Sequence, residues 1–259
     1  MSNASFFKKM SSLFTAFSSK KYRINPAAQA LSPQQQTALW IGAINSEQIS
    51  AYINSYETGL DQDTLADALE EYWEITDSAS AADTLFSLQE KGHRYYYNFL
   101  LPIFLNESPS TWQQKVIDYL VNNNSYESKD EAEYDIMKSL SLLENLQETY
   151  RTLEDDINGN YLAADYQRGI IAWDLGRMVV VGRMCYDRKL IDKAALEGIL
   201  DTAYKAIHGA FADWREMAKS YIIGRAFWSG ANMSLDGIIG IAEDLMRDSD
   251  SPWTQYRLS

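Results

Sequence analysis

The stretch GIIAWDLGRMVVVGRMCY, Gly169 to Tyr186, decides the fold class. MVVVG, residues 178–182, is β-branched, but the apolar residues Ile170, Ile171, Leu175, Met178 and Val179 recur at helical spacing on both sides of WDLGR. We read it as one helix, apolar on nearly every face and therefore central. Three charges sit inside it: Asp174, Arg177 and Arg183. Asp174 and Arg177 are three residues apart, on one face, where they can pair. A buried guanidinium carries five donors that need acceptors, so these charges imply a polar network joining the helix to its neighbours. Gly169, Ala172, Gly176 and Gly182 offer small surfaces for close helix approach.

Outward from this segment the chain reads as helix after helix. Its five prolines leave Ser110 to Ser251 free of proline. Start signals recur: Ser32 ahead of Pro33 with Gln35 completing a capping box, then Ser110, Ser128, Asp192 and Asp213. From Lys193 to about His208, Leu196, Ile199, Leu200, Ala203 and Ile207 form one buried face, with Lys193, Glu197, Asp201 and Lys205 opposite. Ile191 and Leu196 can staple its start. The expected fold is all-α: a compact multi-helix domain with short loops and little or no sheet. Residues 31–259 form that domain, two halves meeting near 155–165, and residues 1–30 form a basic amphipathic or flexible arm.

Composition bounds the function. The 259 residues carry a formal charge of -13, yet residues 1–30 hold Lys8, Lys9, Lys20, Lys21 and Arg23 and no acid. They contribute +5, which leaves -18 on the body from 18 basic and 36 acidic residues. Such a body repels phosphate backbones, so nucleic acid is not an expected ligand, and a basic protein partner is favoured. No segment has the roughly 20 apolar residues that a membrane span requires. Residues 1–24 offer a weak membrane contact, because Phe6, Met10, Leu13, Phe14 and Phe17 recur beside lysines. No signal peptide is evident and Cys185 is the single cysteine, so the cytoplasm is the expected compartment.

Chemistry-bearing motifs are sparse. There is no nucleophile elbow, P-loop or dinucleotide fingerprint, no catalytic residue is assigned, and no cofactor is expected. His93 and His208 lack a second His or Cys at ligand spacing, so no metal site is expected. Cys185, in the apolar helix, reads as a buried inert thiol. In WREMAKSYIIGRAFWSG, Trp214 to Gly230, Tyr221, Arg225 and Trp228 share one face. ALEEYWEITDSASAADTLFSLQEKGHRYYYNF places Trp73, His93 and Arg94 around two short helices, the second ended by Gly92. Asp174, Arg177, Arg183, Arg225, Tyr221, His93 and Arg94 thus form either an internal ionic lattice or a pocket for an anionic group. Trp73, Trp173, Trp214 and Trp228 are the candidate aromatic core.

Three blocks, EEYWEITDSASAADTLFSLQEKGHR (70–94), AWDLGRMVVVGRMCYDRKLID (172–192) with WREMAKSYIIGRAFWSG (214–230), and SPW (251–253), resemble the family catalogued as domain of unknown function 1266. W-D-x-G-R and S-Y-x-x-G-R-A-F-W are its more specific elements. The resemblance implies a mainly helical, cytoplasmic bacterial protein without an assigned reaction or cofactor. The family's recurring positions look similar to Trp73, His93, Arg94, Trp173, Asp174, Arg177, Trp214, Tyr221, Gly224, Arg225 and Trp228. Residues 1–30 lie outside the shared pattern. The functional expectation is a non-enzymatic interaction protein, most concretely an immunity protein neutralising a basic toxin. The alternatives are an enzyme or small-anion sensor using the Asp/Arg/His pocket, and a peripheral membrane protein.

Overall fold

A computed structural model describes residues 21–154, 160–230 and 233–258. These residues are all-α, with no strand among them. The amphipathic stretch Phe6–Phe17 and residues 155–159 of the proposed junction near 155–165 lie outside them.

The helices are α1 (Pro33–Ile41), α2 (Ala43–Gln48), α3 (Gln62–Trp73), α4 (Ser78–Glu90), α5 (Arg94–Asn106), α6 (Trp112–Asn123) and α7 (Lys129–Glu154). They continue as α8 (Ala163–Arg168), α9 (Ile171–Asp187), α10 (Lys193–Ala210), α11 (Trp214–Ser229), α12 (Met233–Arg247) and α13 (Pro252–Gln255). The opening stretch is α9, buried continuously from Ala172 to Cys185. It is enclosed by α11 and α10 and by α1, α2, α3 and α4. That enclosure explains why no polar stripe runs along it: every side faces a neighbour.

Local signals place most helix starts. Ser32 accepts from the Gln35 N–H at 3.3 Å while Gln35 Oε1 accepts from the Ser32 N–H at 3.0 Å, the reciprocal box the spacing demands. Ser128, Asp192 and Asp213 accept from the N–H three residues on, at 3.2, 2.8 and 2.9 Å. Ser110 does not cap. One 3₁₀ turn, Pro109–Thr111, precedes α6, and the Ser110 hydroxyl bonds that of Ser108. In α10, Leu196, Leu200, Ala203 and Ile207 are buried as the spacing predicts, while Lys205 reaches Asp201 at 2.6 Å on the other face.

The two ends of the described chain lock onto the body. Tyr22 is buried and its N–H donates to Glu47, and Arg23 O accepts from the Ile53 N–H at 2.9 Å. Near the C-terminus Trp214 and Trp253 stack at 5.0 Å, and Trp253 Nε1 donates to Trp40 O at 3.0 Å. Ser251 Oγ accepts from the Trp253 N–H at 3.1 Å and donates to Leu245 O at 2.6 Å, so the SPW element caps α13 and ties it to α12.

Packing between α9 and α11 leaves no room for a side chain at one point. A Cβ on Gly224 would stand 2.4 Å from Trp173 Cβ and 3.0 Å from Ile170 Cβ, atoms too near the backbone to yield. Gly198, exposed in the middle of α10, meets nothing within 4 Å. Gly224→Ala should therefore destabilise by about 1–3 kcal/mol through overpacking. Gly198→Ala should stabilise by about 0.5–1 kcal/mol by restricting the unfolded chain. Urea denaturation of both variants checks this, and equal effects at the two glycines would contradict the packing.

Candidate functional site

Asp174 is wholly buried on the first turns of α9, and its carboxylate organises the site. Oδ1 accepts from the His93 N–H at 2.9 Å and Oδ2 from the Arg94 N–H at 3.0 Å. These are the free donors at the start of α5, where a helix offers a partial positive charge. Arg94 Nη1 adds a bond to Oδ2 at 3.0 Å and Arg177 Nη2 one to Oδ1 at 2.6 Å. The expected i, i+3 pair is present, embedded in a set of four donors. Arg94 also donates to Leu88 O at 2.8 Å and to Gln89 O, so it closes the C-terminal end of α4. One carboxylate and one guanidinium thereby fasten α4, α5 and α9 together.

Gly92 makes this approach possible. Its φ is +55°, and a Cβ there would fall 2.2 Å from the Asp174 carboxyl carbon. Both the left-handed backbone and the space require glycine.

His93 accepts from Arg177 Nη2 at 3.0 Å through Nδ1, which assigns a neutral ring with its proton on Nε2. Burial first, then the adjacent Arg177 charge, push its pKa down to about 2. The Arg177 guanidinium lies 4.3 Å from the Trp173 ring centroid, and its Nε donates to Trp173 O at 3.1 Å. Burial lowers the Arg177 pKa while Asp174 opposes the shift. Arg225, 2% exposed, lies 5.1 Å from the Trp228 ring; burial lowers its pKa to about 10, against the pull of Tyr221 and with the push of Arg177. Tyr221 packs edge-on against Trp173 at 5.1 Å, and Trp173 lies 5.8 Å from Trp228.

These groups border a cavity of about 330 Å³. At one end stand Trp73, His93, Trp173, Arg177, Arg225 and Trp228. The remaining wall comes from α2, α3 and the rest of α9, including Ile49, Leu60, Ala68, Val180, Val181 and Met184. Two guanidinium groups and no carboxylate line it among the described residues. Trp173 is 4% exposed, and its indole N–H has no hydrogen-bond partner. Trp73, His93 and Arg177 also border a second, more polar cleft of about 760 Å³, with Lys91, Tyr96 and Lys138 on its far side. Those three side chains thus form a partition between an apolar cavity and a polar cleft.

The structure gathers six of the seven predicted polar residues here: Asp174, Arg177, Arg94, His93, Arg225 and Tyr221. Arg183 is elsewhere. Wholly buried, it donates to the carbonyls of Tyr52, Tyr56 and Glu57 at 2.5, 3.3 and 3.0 Å and to Ser46 Oγ at 3.0 Å. It holds the loop between α2 and α3, and burial brings its pKa down to about 10. Asp187 secures the same loop by accepting from the Thr58 N–H at 2.8 Å. Of the four candidate tryptophans, Trp173 and Trp214 are core, whereas Trp73 and Trp228 are half-buried cavity walls. Trp214 belongs to the C-terminal anchor instead. Cys185 is buried, and burial alone raises its pKa to about 12, which leaves the thiol protonated and inert. No group of three or more His, Cys, Asp or Glu among the described residues could hold a metal ion.

The model of the DUF1266 family, described as a protein of unknown function, matches residues 68–258. The chain belongs to this family. No curated protein and no solved structure matches it. The matched range holds Asp174, Arg177, Arg225, Gly92 and the four candidate tryptophans Trp73, Trp173, Trp214 and Trp228, while the α2 wall and the first half of α3 precede it. Among the described residues no helix is long and apolar enough to cross a membrane.

The depressed His93 pKa has a measurable consequence. Above about pH 6.5 the ring is neutral whether the chain is folded or unfolded. Below it the unfolded chain binds a proton that the folded chain refuses, so stability falls as the pH drops from about 6.5 toward about 2. The slope per histidine approaches about 1.4 kcal/mol per pH unit. Denaturation of wild type and His93→Gln between pH 6.5 and 4 should show the shallower slope in the variant. Identical slopes would mean that His93 titrates normally.

Proposed function

We propose that this DUF1266 protein is a small-ligand receptor that takes an anion into the cavity beside Asp174. The observation that carries this reading is the cavity's lining: apolar walls, two guanidinium groups at one end, and no carboxylate among the described residues. About 330 Å³ lies within the usual range for a small-molecule site, and mostly apolar walls with a few convergent polar groups are the usual composition. The unpartnered Trp173 N–H supports it further, since a buried donor without an acceptor costs free energy that a ligand oxygen would restore. The Asp174 network, by contrast, is internally satisfied and serves as scaffold. Arg177 belongs to both: its contacts to Asp174 and His93 orient it, and its remaining surface faces the cavity. Preorganised cations spend little entropy on binding.

The fluorescent anion 1-anilinonaphthalene-8-sulfonate tests the reading. Wild type should bind one equivalent saturably. Val181→Trp, which fills the cavity, should weaken binding about tenfold or more, as should Arg225→Met, which removes about 1.5–3 kcal/mol of charge-assisted bonding. No saturable binding, or binding unchanged by Val181→Trp, would reject the reading.

A second reading has its own observation. The residues after position 30 carry -18, which favours a basic protein partner and supports an immunity protein that neutralises a toxin. Co-purification from the native host with a basic toxin, and rescue of cells expressing that toxin, are its expected outcomes. Absence of both would remove it.

A further inference from the structure

The cavity has a direction. On α9 its lining residues are Trp173, Arg177, Val180, Val181 and Met184, a stripe in which Val180 and Val181 each lie three or four residues from Arg177 and from Met184, so that it keeps to one face of the helix. At the helical rise this stripe is about 16 Å long. α3 runs antiparallel beside it. At one end the Arg177 guanidinium lies 5.8 Å from the Trp73 ring centroid, at the C-terminus of α3. At the other, Arg188 Nη1 donates to Gln62 Oε1 at 3.1 Å, at the N-terminus of α3. Thr64, Ala68 and Tyr72 supply the facing stripe.

The chemistry changes along that length. The guanidiniums of Arg177 and Arg225, the free Trp173 N–H and three indole rings collect at the Trp73 end. Toward Met184 the walls are mainly Ile49, Leu60, Ala68, Val180 and Val181, and Asn45, Gln48 and Thr64 add neutral polar groups from α2 and α3. A compact anion would satisfy the first end and leave the second empty. A neutral hydrocarbon would fill the second, leave the Trp173 N–H without an acceptor and bring no charge to the two guanidiniums. The Trp173 and Trp228 rings already pack on each other and on Arg177 and Arg225, so the Trp173 N–H edge rather than an open ring face is what meets the head group.

We infer that the ligand is a medium-chain aliphatic carboxylate lying lengthwise along α9, its head at Arg177, Arg225 and Trp173 and its tail against Met184. This rests on the ligand-receptor reading above and specifies what the receptor takes. The Arg183 anchor acquires a role in it, because the loop it holds ends in Leu60, part of the tail wall. Arg183 acts as a positioning residue for that wall and does not touch the ligand.

Brominated chains quench tryptophan by contact and so report orientation. The full chain is titrated below micellar concentration with 2-bromodecanoate and 10-bromodecanoate, alongside decanoate, 1-decanol and acetate. Trp73, Trp173 and Trp228 all stand at the head end and no tryptophan lines the tail end, so the 2-bromo acid should quench more deeply at saturation. Decanol should bind about tenfold or more weakly than decanoate for want of the charge-assisted bonds, and acetate weaker still. Met184→Trp should shift preference toward hexanoate while the protein stays folded. Deeper quenching by the 10-bromo acid, equal binding of decanol, or a Met184→Trp variant with unchanged chain-length preference would overturn the inference. Should anilinonaphthalene sulfonate occupy the cavity and decanoate fail to displace it, the carboxylate assignment falls and the receptor reading stands. Should neither bind, both fall.

Discussion

The structure depends on one buried carboxylate. Removing Asp174 from water costs several kcal/mol, and that cost is met only if its lone pairs are filled by good donors. Four fill them: two backbone N–H groups at the head of α5 and the guanidiniums of Arg94 and Arg177. None of the four is local in the ordinary sense except Arg177. The helix-start donors lie 81 and 80 residues away in sequence, so α9 and α5 can meet in only one relative position. Hydrophobic packing, which has no direction, could not specify that position alone.

From this anchor the rest follows in sequence. Gly92 must lack a side chain because Asp174 occupies its place. Arg94, drawn to Asp174, can then reach back to the carbonyls ending α4. Arg177, held by Asp174 and His93, lies over the Trp173 ring and presents its outer surface to the cavity. His93 stays neutral because a buried imidazolium would be poorly solvated there and would also be repelled by Arg177. Near the far end of α9, Arg183 does for a loop what Asp174 does for helices, gathering three carbonyls and a hydroxyl. The charges inside an apolar helix are therefore its joints, one near each end, and the cavity lies along the stripe between them.

Much of the fold was legible because it rests on short-range rules. α9, its Asp174–Arg177 pair, the α10 face and the caps at Ser32, Ser128, Asp192 and Asp213 each follow from spacing within about one or two turns of helix. Ser110 misled because a 3₁₀ turn displaced the helix start, a choice made by Pro109 and the following chain geometry. The role of Gly92 as a seat for Asp174, and of Asp174 as cap for α5, was hidden because both depend on tertiary proximity. Arg183 could not be separated from Arg177 by sequence, since both sit in the same apolar run and differ only in what the loop between α2 and α3 places opposite them. The cavity was the least visible feature. Much of its wall comes from α2, α3 and the loop between them, Ile49, Leu60, Ala68 and Tyr72 among them, ordinary residues at ordinary spacings that face one cavity only when α3 lies antiparallel to α9.

A double-mutant cycle between Asp174 and Arg94, read by urea denaturation of wild type, Asp174→Asn, Arg94→Met and the double variant, tests the central claim most directly. A buried pair that fixes how α4, α5 and α9 meet should show a coupling of about 1.5–3 kcal/mol, with each single variant losing roughly 3–5 kcal/mol. Additive single effects, with a coupling indistinguishable from zero, would contradict the account, for the carboxylate would then be a passenger in a fold held together by apolar packing alone.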